Sequence, residues 1–241
     1  MATAKARKAL SICGQKNDWG DAKVISIFAP QSELQEVSTK TVKLKQIITK
    51  RKLLVTQRTQ ITNNIKSSFN QLGIKAPFKN FTTIKAYKWF QNQEDICIQQ
   101  FGKMLQTLNE SIKILKEEID KLTPEQAKKL TTITDIDTLT AATIYTEIKG
   151  KEITKAQFAS YCGVAPIDCS SGMSDKHRNN HRGNRILNSI LFTIAITQIK
   201  YDEKGSAYYL KKLQEGKSKK VARKHLQRQL SNLIWKTLFI N

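Results

Sequence analysis

What the sequence is short of narrows the problem first. It has no long uncharged apolar run of the kind a membrane-spanning helix needs. Its basic opening, MATAKARKAL, has too little apolar sequence behind it to form an export signal. Cysteine is sparse: Cys13, Cys97, Cys162 and Cys169 are scattered without a paired framework, so a disulfide-stapled scaffold is excluded and reduced thiols are expected. Cys162 and Cys169 share a short window with His177 and His181. Six residues separate those cysteines, where a zinc finger has roughly two to four, so zinc is not expected.

Acidic residues are scarce as well. Only 20 Asp and Glu face 41 Lys and Arg, a formal net charge of +21. Such a surplus cannot be paired internally, so the surface carries broad positive fields. The fitting partners are polyanions, DNA or RNA foremost. With neither a spanning segment nor an export signal, the expectation is a soluble cytoplasmic chain with no membrane partner.

What is present is mostly helical pattern. Short amphipathic pieces flank a loop between Gly14 and Gly20, and the pair Asp18 and Asp21 straddles its end. Asp21 reads as a helix cap, and the two carboxylates together also suit a hard divalent cation such as magnesium. No other acidic cluster clearly completes such a site. From residue 39 to Gly73 the chain has no proline or interior glycine, and Leu44, Ile47, Leu54, Ile61, Ile65 and Leu72 mark an apolar seam interrupted by Arg51 and Arg58. Pro77 and an aromatic run (Phe78, Phe81, Tyr87, Trp89, Phe90) break the pattern over residues 74–94. A second long helix is cleaner: Phe101, Leu105, Leu108, Ile112, Leu115, Ile119 and Leu122 alternate four and three apart. Two such helices joined by a connector predict an antiparallel coiled-coil arm, a surface on which two copies could also meet as a homo-oligomer.

Pro124 ends the arm and opens the next helix. Residues 127–160 have a helical period around a break at Thr134–Asp137, the layout of a helix-hairpin-helix. Such a hairpin uses glycines to bring backbone amides to phosphate, whereas Asp135 and Asp137 stand in this turn and repel it. After the hairpin comes the densest stretch, ASYCGVAPIDCSSGMSDKHRNNHRGNRIL at 159–187. A Ser-Ser-Gly step at Ser170, Ser171 and Gly172 is followed by Lys176, Arg178, Arg182, Asn184 and Arg185 against the single acid Asp175. A hydroxyl beside donors suited to phosphate oxygens is what phosphoryl transfer on a nucleic-acid backbone requires; taken alone, the stretch also reads as a polar surface loop before a helix. A buried helix is predicted at Ile186–Ile199, a loop at Tyr201–Gly205 and a short helix at Ala207–Leu213. A basic run from Lys217 to Arg228 then enters a last helix reaching Leu238, and contact with nucleic-acid backbone is expected of it.

With these pieces placed, the chain resembles a transposase of the insertion-sequence 110/116/902 family, the bridge-RNA-guided recombinases. The similarity is carried by LTTI…LTAATI…EI, FASYCGVAP, Ser171-Gly172, RGNRIL at 182–187 and AYYLKKLQEGKSKKVA at 207–222, in the family's order over residues 127–241. Asp18-x-x-Asp21-Ala22 and QRT at 57–59 resemble the end of the family's RuvC-like domain and the start of its coiled coil. The resemblance implies a mainly α chain: a remnant of a RuvC-like domain at 1–38, a long antiparallel helical coiled-coil arm at 39–123 with its connector at 74–94, and an all-helical carboxy-terminal transposase domain at 124–241. It also implies DNA as partner, a guide RNA, magnesium held by four acidic residues, and a serine that attacks the phosphodiester and stores its energy as phosphoserine. Ser171 matches that nucleophile, with Ser170 as its substitute. Asp18 and Asp21 match the last two metal ligands, and Lys176, Arg178, Arg182, Asn184 and Arg185 the nucleic-acid contacts. The first two acidic residues have no counterpart and the hairpin glycines are missing. The expectation is therefore an amino-terminally truncated transposase that binds nucleic acid but is defective in catalysis. The alternative is a non-catalytic, basic coiled-coil protein that binds nucleic acid.

Overall fold

The computed structural model describes Ser26 and residues 38–168, 177–179 and 183–240. The chain divides into two compact units, Met1–Val37 and Ser38–Asn241, and every element below belongs to the second. The RuvC-like remnant expected at 1–38, with Asp18 and Asp21, lies almost wholly outside the described residues. The described chain is mainly α-helical. Among the described residues no helix is long and apolar enough to cross a membrane.

Helix α1 spans Thr39–Leu72 and stops at Gly73, whose φ of 67° and N–H to the Phe69 carbonyl make a left-handed end that glycine adopts without strain. Helix α2, Ile84–Gln91, is capped by the Thr83 hydroxyl, which accepts from the Ala86 N–H. Helix α3, Ile96–Leu122, is capped by Asp95, which accepts from the Cys97 and Ile98 N–H groups. Its fully buried apolar residues Ile98, Leu105, Ile112 and Ile119 fall at every second step of the three-four seam.

Contacts at three levels show that α1 and α3 run antiparallel. Leu44 packs with Ile119 at the root. Arg58 donates to Asn109 Oδ1 at 2.8 Å midway. Ile65 and Phe69 share a cluster with Ile98 and Leu105 at the tip. Leu72, expected in the seam, is 58 % exposed, because Phe69 fills that end and the helix stops directly afterwards. The connector supplies an aromatic cap in which Phe69, Phe78, Phe81, Trp89 and Phe90 meet tilted or edge to face, with centroids 5.3–6.3 Å apart. A Cβ on Gly102 would lie 2.4 Å from Phe90 Cβ, so only glycine lets α2 lie this close on α3.

The rest of the unit begins with α4, Glu125–Lys128, and a 3-10 turn at Lys129–Thr132. It continues through α5 (Thr138–Ile148), α6 (Lys155–Tyr161), strands β1 (Pro166–Asp168) and β2 (His177–Asn179), α7 (Arg185–Tyr201), α8 (Glu203–Gln214) and α9 (Lys219–Phe239). Thr154 and Gln157 form a reciprocal capping box at the start of α6. A single core joins Leu130, Ile144, Phe158, Leu187, Leu191 and Ile234 with their neighbours. The loop expected at Tyr201–Gly205 is reduced to one residue. Asp202 both ends α7 and caps α8, its carboxylate accepting from the Gly205 N–H at 2.7 Å. The antiparallel pair β1–β2 is an addition to the expected all-helical domain.

Candidate functional site

Ser171 belongs to a segment that leaves the helical core after α6 and rejoins it at α7. Strands β1 and β2 pair in the register Pro166↔Asn179, Ile167↔Arg178 and Asp168↔His177. Arg178 is thereby placed on β2 opposite Ile167. Ser170, Ser171, Gly172 and Lys176 between the strands, and Arg182 after them, lie outside the described residues.

The two ends of that segment are fastened to each other, main chain against main chain. Gly163, at φ 72°, turns the chain out of α6. Gly183 returns so close that a Cβ on it would stand 2.5 Å from both Gly163 Cα and N, and 2.9 Å from the Tyr161 carbonyl. The next residue donates its N–H to that carbonyl: Asn184 N to Tyr161 O is 2.6 Å. One turn into α7, the Asn188 amide donates to the carbonyls of Cys162 at 2.9 Å and Gly163 at 3.3 Å. FASYCGVAP and RGNRIL, separated in the sequence, are thus one structure at this closure.

Asn184 is fully engaged inside the protein. Its Oδ1 accepts from the Ile186 and Leu187 N–H groups and starts α7. Its amide donates to Glu147 Oε2 at 2.6 Å and to the Tyr161 hydroxyl at 3.1 Å. Read from the sequence as a nucleic-acid contact, this side chain spends its hydrogen-bonding groups on the closure. Arg185 beside it is exposed on the first turn of α7. Glu147, the one charged side chain buried among the described residues, takes its other bond from the arm: Lys45 Nζ lies 3.0 Å from Oε1.

Cations reach the closure from the last helix. Lys224 donates to the Gly163 carbonyl at 3.3 Å. Burial depresses its amine below the ordinary lysine value, and the nearby charges of Lys220 and Arg223 depress it further. Arg223 itself stacks over Phe192 of α7, 4.5 Å from the ring centroid. The basic run, assigned from its charge alone, is therefore attached to the base of the Ser171 segment. Glu147, Tyr161, Lys45 and Asn188 were not singled out from the sequence. Glu147 carried a signal, being the only acid in α5, but nothing in the pattern pointed to Lys45 or Asn184 as its partners.

The hairpin before α5 is occupied by its own carboxylates. Asp135 takes the positive φ of 71° where glycine would be ordinary, and Asp137 accepts from the Thr140 N–H at 2.8 Å. The amide that could face a phosphate is already bound. Among the described residues no group of three or more His, Cys, Asp or Glu side chains converges as a metal site would require. Cys162 is buried, and desolvation pushes its thiol up to about 12, which keeps it a neutral packing residue.

Comparison with known proteins gives this geometry a lineage. No curated protein matches the chain. Residues 127–210 match the model of the Transposase IS116/IS110/IS902 family, a span that runs from α4 into α8 and contains both halves of the closure, Tyr161–Gly163 and Gly183–Asn188. This part of the chain is similar to the transposases of the IS116/IS110/IS902 family.

Proposed function

We propose that this transposase cuts and rejoins DNA through Ser171, presented from the closure that Gly163, Gly183 and Asn184 build. One observation carries the reading: main-chain contacts close the base of the Ser171-bearing segment, and Lys224 is bonded to that same base. A nucleophile needs a fixed platform and nearby cations for the phosphate it attacks, and both occur there. In the step, the Ser171 hydroxyl oxygen bonds to phosphorus as the bond to a deoxyribose oxygen breaks. The serine proton departs, and the leaving oxygen becomes a hydroxyl. The phosphoserine keeps the bond energy for rejoining, when the incoming hydroxyl displaces Ser171.

Arg178, Arg182, Arg185 and Lys176 are proposed to hold phosphates, with Lys220 and Arg223 extending the surface. Asn184 is assigned to holding the platform. Asp18 and Asp21 are proposed as magnesium ligands. The described carboxylates do not assemble a site for that ion, so no step is routed through it. Two carboxylates are fewer than the four the resemblance calls for, and this polypeptide alone is proposed to bind DNA while cleaving it poorly. A guide RNA and pairing of two copies through the arm are proposed as further parts of the assembly.

The test is covalent trapping. The purified chain and magnesium are mixed with labelled DNA carrying the element's end junction and its flanking RNA, then denatured. A protein–DNA adduct that disappears in Ser171→Ala, formed by the chain alone or only after a RuvC-like acidic domain is added, supports the serine reading. Salt-sensitive binding with no adduct in either case supports the alternative of a non-catalytic nucleic-acid-binding protein.

A further inference from the structure

We propose that Lys45, Glu147 and Asn184 form a relay by which the arm sets the position of the Ser171-bearing segment, with Glu147 as its positioning residue. The proposal rests on the reading of Ser171 as nucleophile.

Glu147 stands at the last turn of α5 with 9 % of its surface exposed, and it divides its two oxygens between different parts of the molecule. Oε1 meets Lys45 on the first turns of the arm helix α1 at 3.0 Å, and Oε2 receives the Asn184 amide at 2.6 Å. A buried carboxylate is costly unless both oxygens are satisfied, so losing one partner disturbs the other. Asn184 in turn has no alternative orientation. With the amide flipped, its NH2 would face the Ile186 and Leu187 N–H groups and its oxygen would face Glu147, replacing attractive contacts with repulsive ones. Glu147 therefore fixes Asn184, and Asn184 fixes the return of the chain at Gly183 against Gly163.

Lys45 makes this a link rather than a local brace. Its side chain is about half exposed, while the carboxylate it holds is buried, so the arm side of the relay is the side open to disturbance. The arm root is held by few apolar residues: Leu44 and Ile119 meet Ala142 of α5, with Ile47, Ile48, Leu122 and Leu139 around them. Movement of α1 at its root, as when the arm engages another macromolecule, withdraws Lys45 from Glu147 and loosens the platform. Seating of the arm and presentation of the nucleophile are thereby coupled.

The experiment compares Lys45→Met, Lys45→Arg, Glu147→Ala and the double variant Lys45→Met/Glu147→Ala in the full chain, with a RuvC-like acidic domain added. The readout is the rate of Ser171–DNA adduct formation at saturating DNA, with DNA affinity and thermal midpoint measured alongside. Glu147→Ala is expected to slow adduct formation about tenfold or more and Lys45→Met a few-fold, at unchanged DNA affinity, with Lys45→Arg restoring the rate. The double variant is expected to match Glu147→Ala alone, because Lys45 acts through Glu147. Multiplying effects, or a rate that Lys45→Met leaves unchanged, would overturn the relay. Hydrogen–deuterium exchange keeps the test separate from the serine chemistry. In Lys45→Met, exchange at the amides of Asn184 and Gly163 is expected to rise at least several-fold, while that of Leu105 in the arm stays constant. If the unmodified chain forms no adduct even with the acidic domain added, the serine reading fails by itself, and unchanged exchange at those two amides then overturns the relay independently.

Discussion

The arm and the carboxy-terminal domain are both helical, yet they are held together in different ways. The domain has one continuous apolar core, from Leu130 through Phe158 and Leu191 to Leu238, with Gln227 and Ser231 buried on its last helix. The arm has an apolar cluster at each end, with polar side chains between: Arg58 bonds Asn109, which donates to the Tyr87 hydroxyl, and the buried Arg51 Nε has no hydrogen-bond partner. A continuous core gives a rigid platform, which a nucleophile needs. A polar middle in a two-helix seam sets which residues face each other at some cost in strength, as buried polar groups do in helical pairs. The polypeptide puts its packing where chemistry is proposed and its register-setting contacts where reach is needed.

Four tests would break or sharpen that contrast. Phe158→Ala empties the centre of the domain core and is expected to cost about 3–5 kcal/mol in chemical denaturation. Near-ultraviolet signals from the arm aromatics should outlast the loss of the domain; simultaneous loss would mean that the two regions unfold as one. Gly183→Ala forces a Cβ into Gly163 and should cost about 1–3 kcal/mol. Its distinguishing outcome is faster proteolysis within 164–182, with the arm left intact.

In the arm, Asn109→Ala removes the link between Arg58 and Tyr87 and should cost only about 1 kcal/mol. It should also raise the Tyr87 titration midpoint further, because the phenol is already pushed up by burial while Asn109 and then Arg58 pull it down. A spectrophotometric titration showing a fall would contradict that assignment. The mildest probe changes no residue. Peptide-resolved alkylation at pH 8 should label exposed Cys97 readily and leave buried Cys162 unmodified until the domain unfolds. With its thiol raised from 9.0 to about 12, the contribution of Cys162 to stability is intact below pH 9 and is lost as pH climbs from 9 to 12, since only the unfolded state deprotonates there.

The arm was the more legible region because its information is periodic. Leu105, Ile112 and Ile119 announce their face by spacing alone, and the helix stop at Gly73 follows from the residue type. Leu72 shows the limit of such a pattern: it fits the period, but burial at that end depends on what α2 and its connector cover. In the domain, Asp202 looked like part of a loop because its capping role depends on where α7 ends. The pair β1–β2 is three residues long on each side, too short for alternation to show. Basic composition singled out the 159–187 stretch, yet the partnership of Lys45, Glu147 and Asn184 joins three distant elements and exists only once α1 lies against α5.

The contact of Gly163 with Gly183 has one more consequence. Because the chain closes on itself through groups at its two ends, the Gly163–Gly183 contact and the bonds of Asn184 and Asn188, that closure does not draw on the number of residues between the two glycines. Lengthening such an excursion costs only loop entropy, about 0.6 kcal/mol for each doubling. The closure therefore acts as an interchangeable socket: the stretch it carries can gain, lose or exchange residues over evolutionary time, or in the hands of an engineer, while the helices beneath keep their packing.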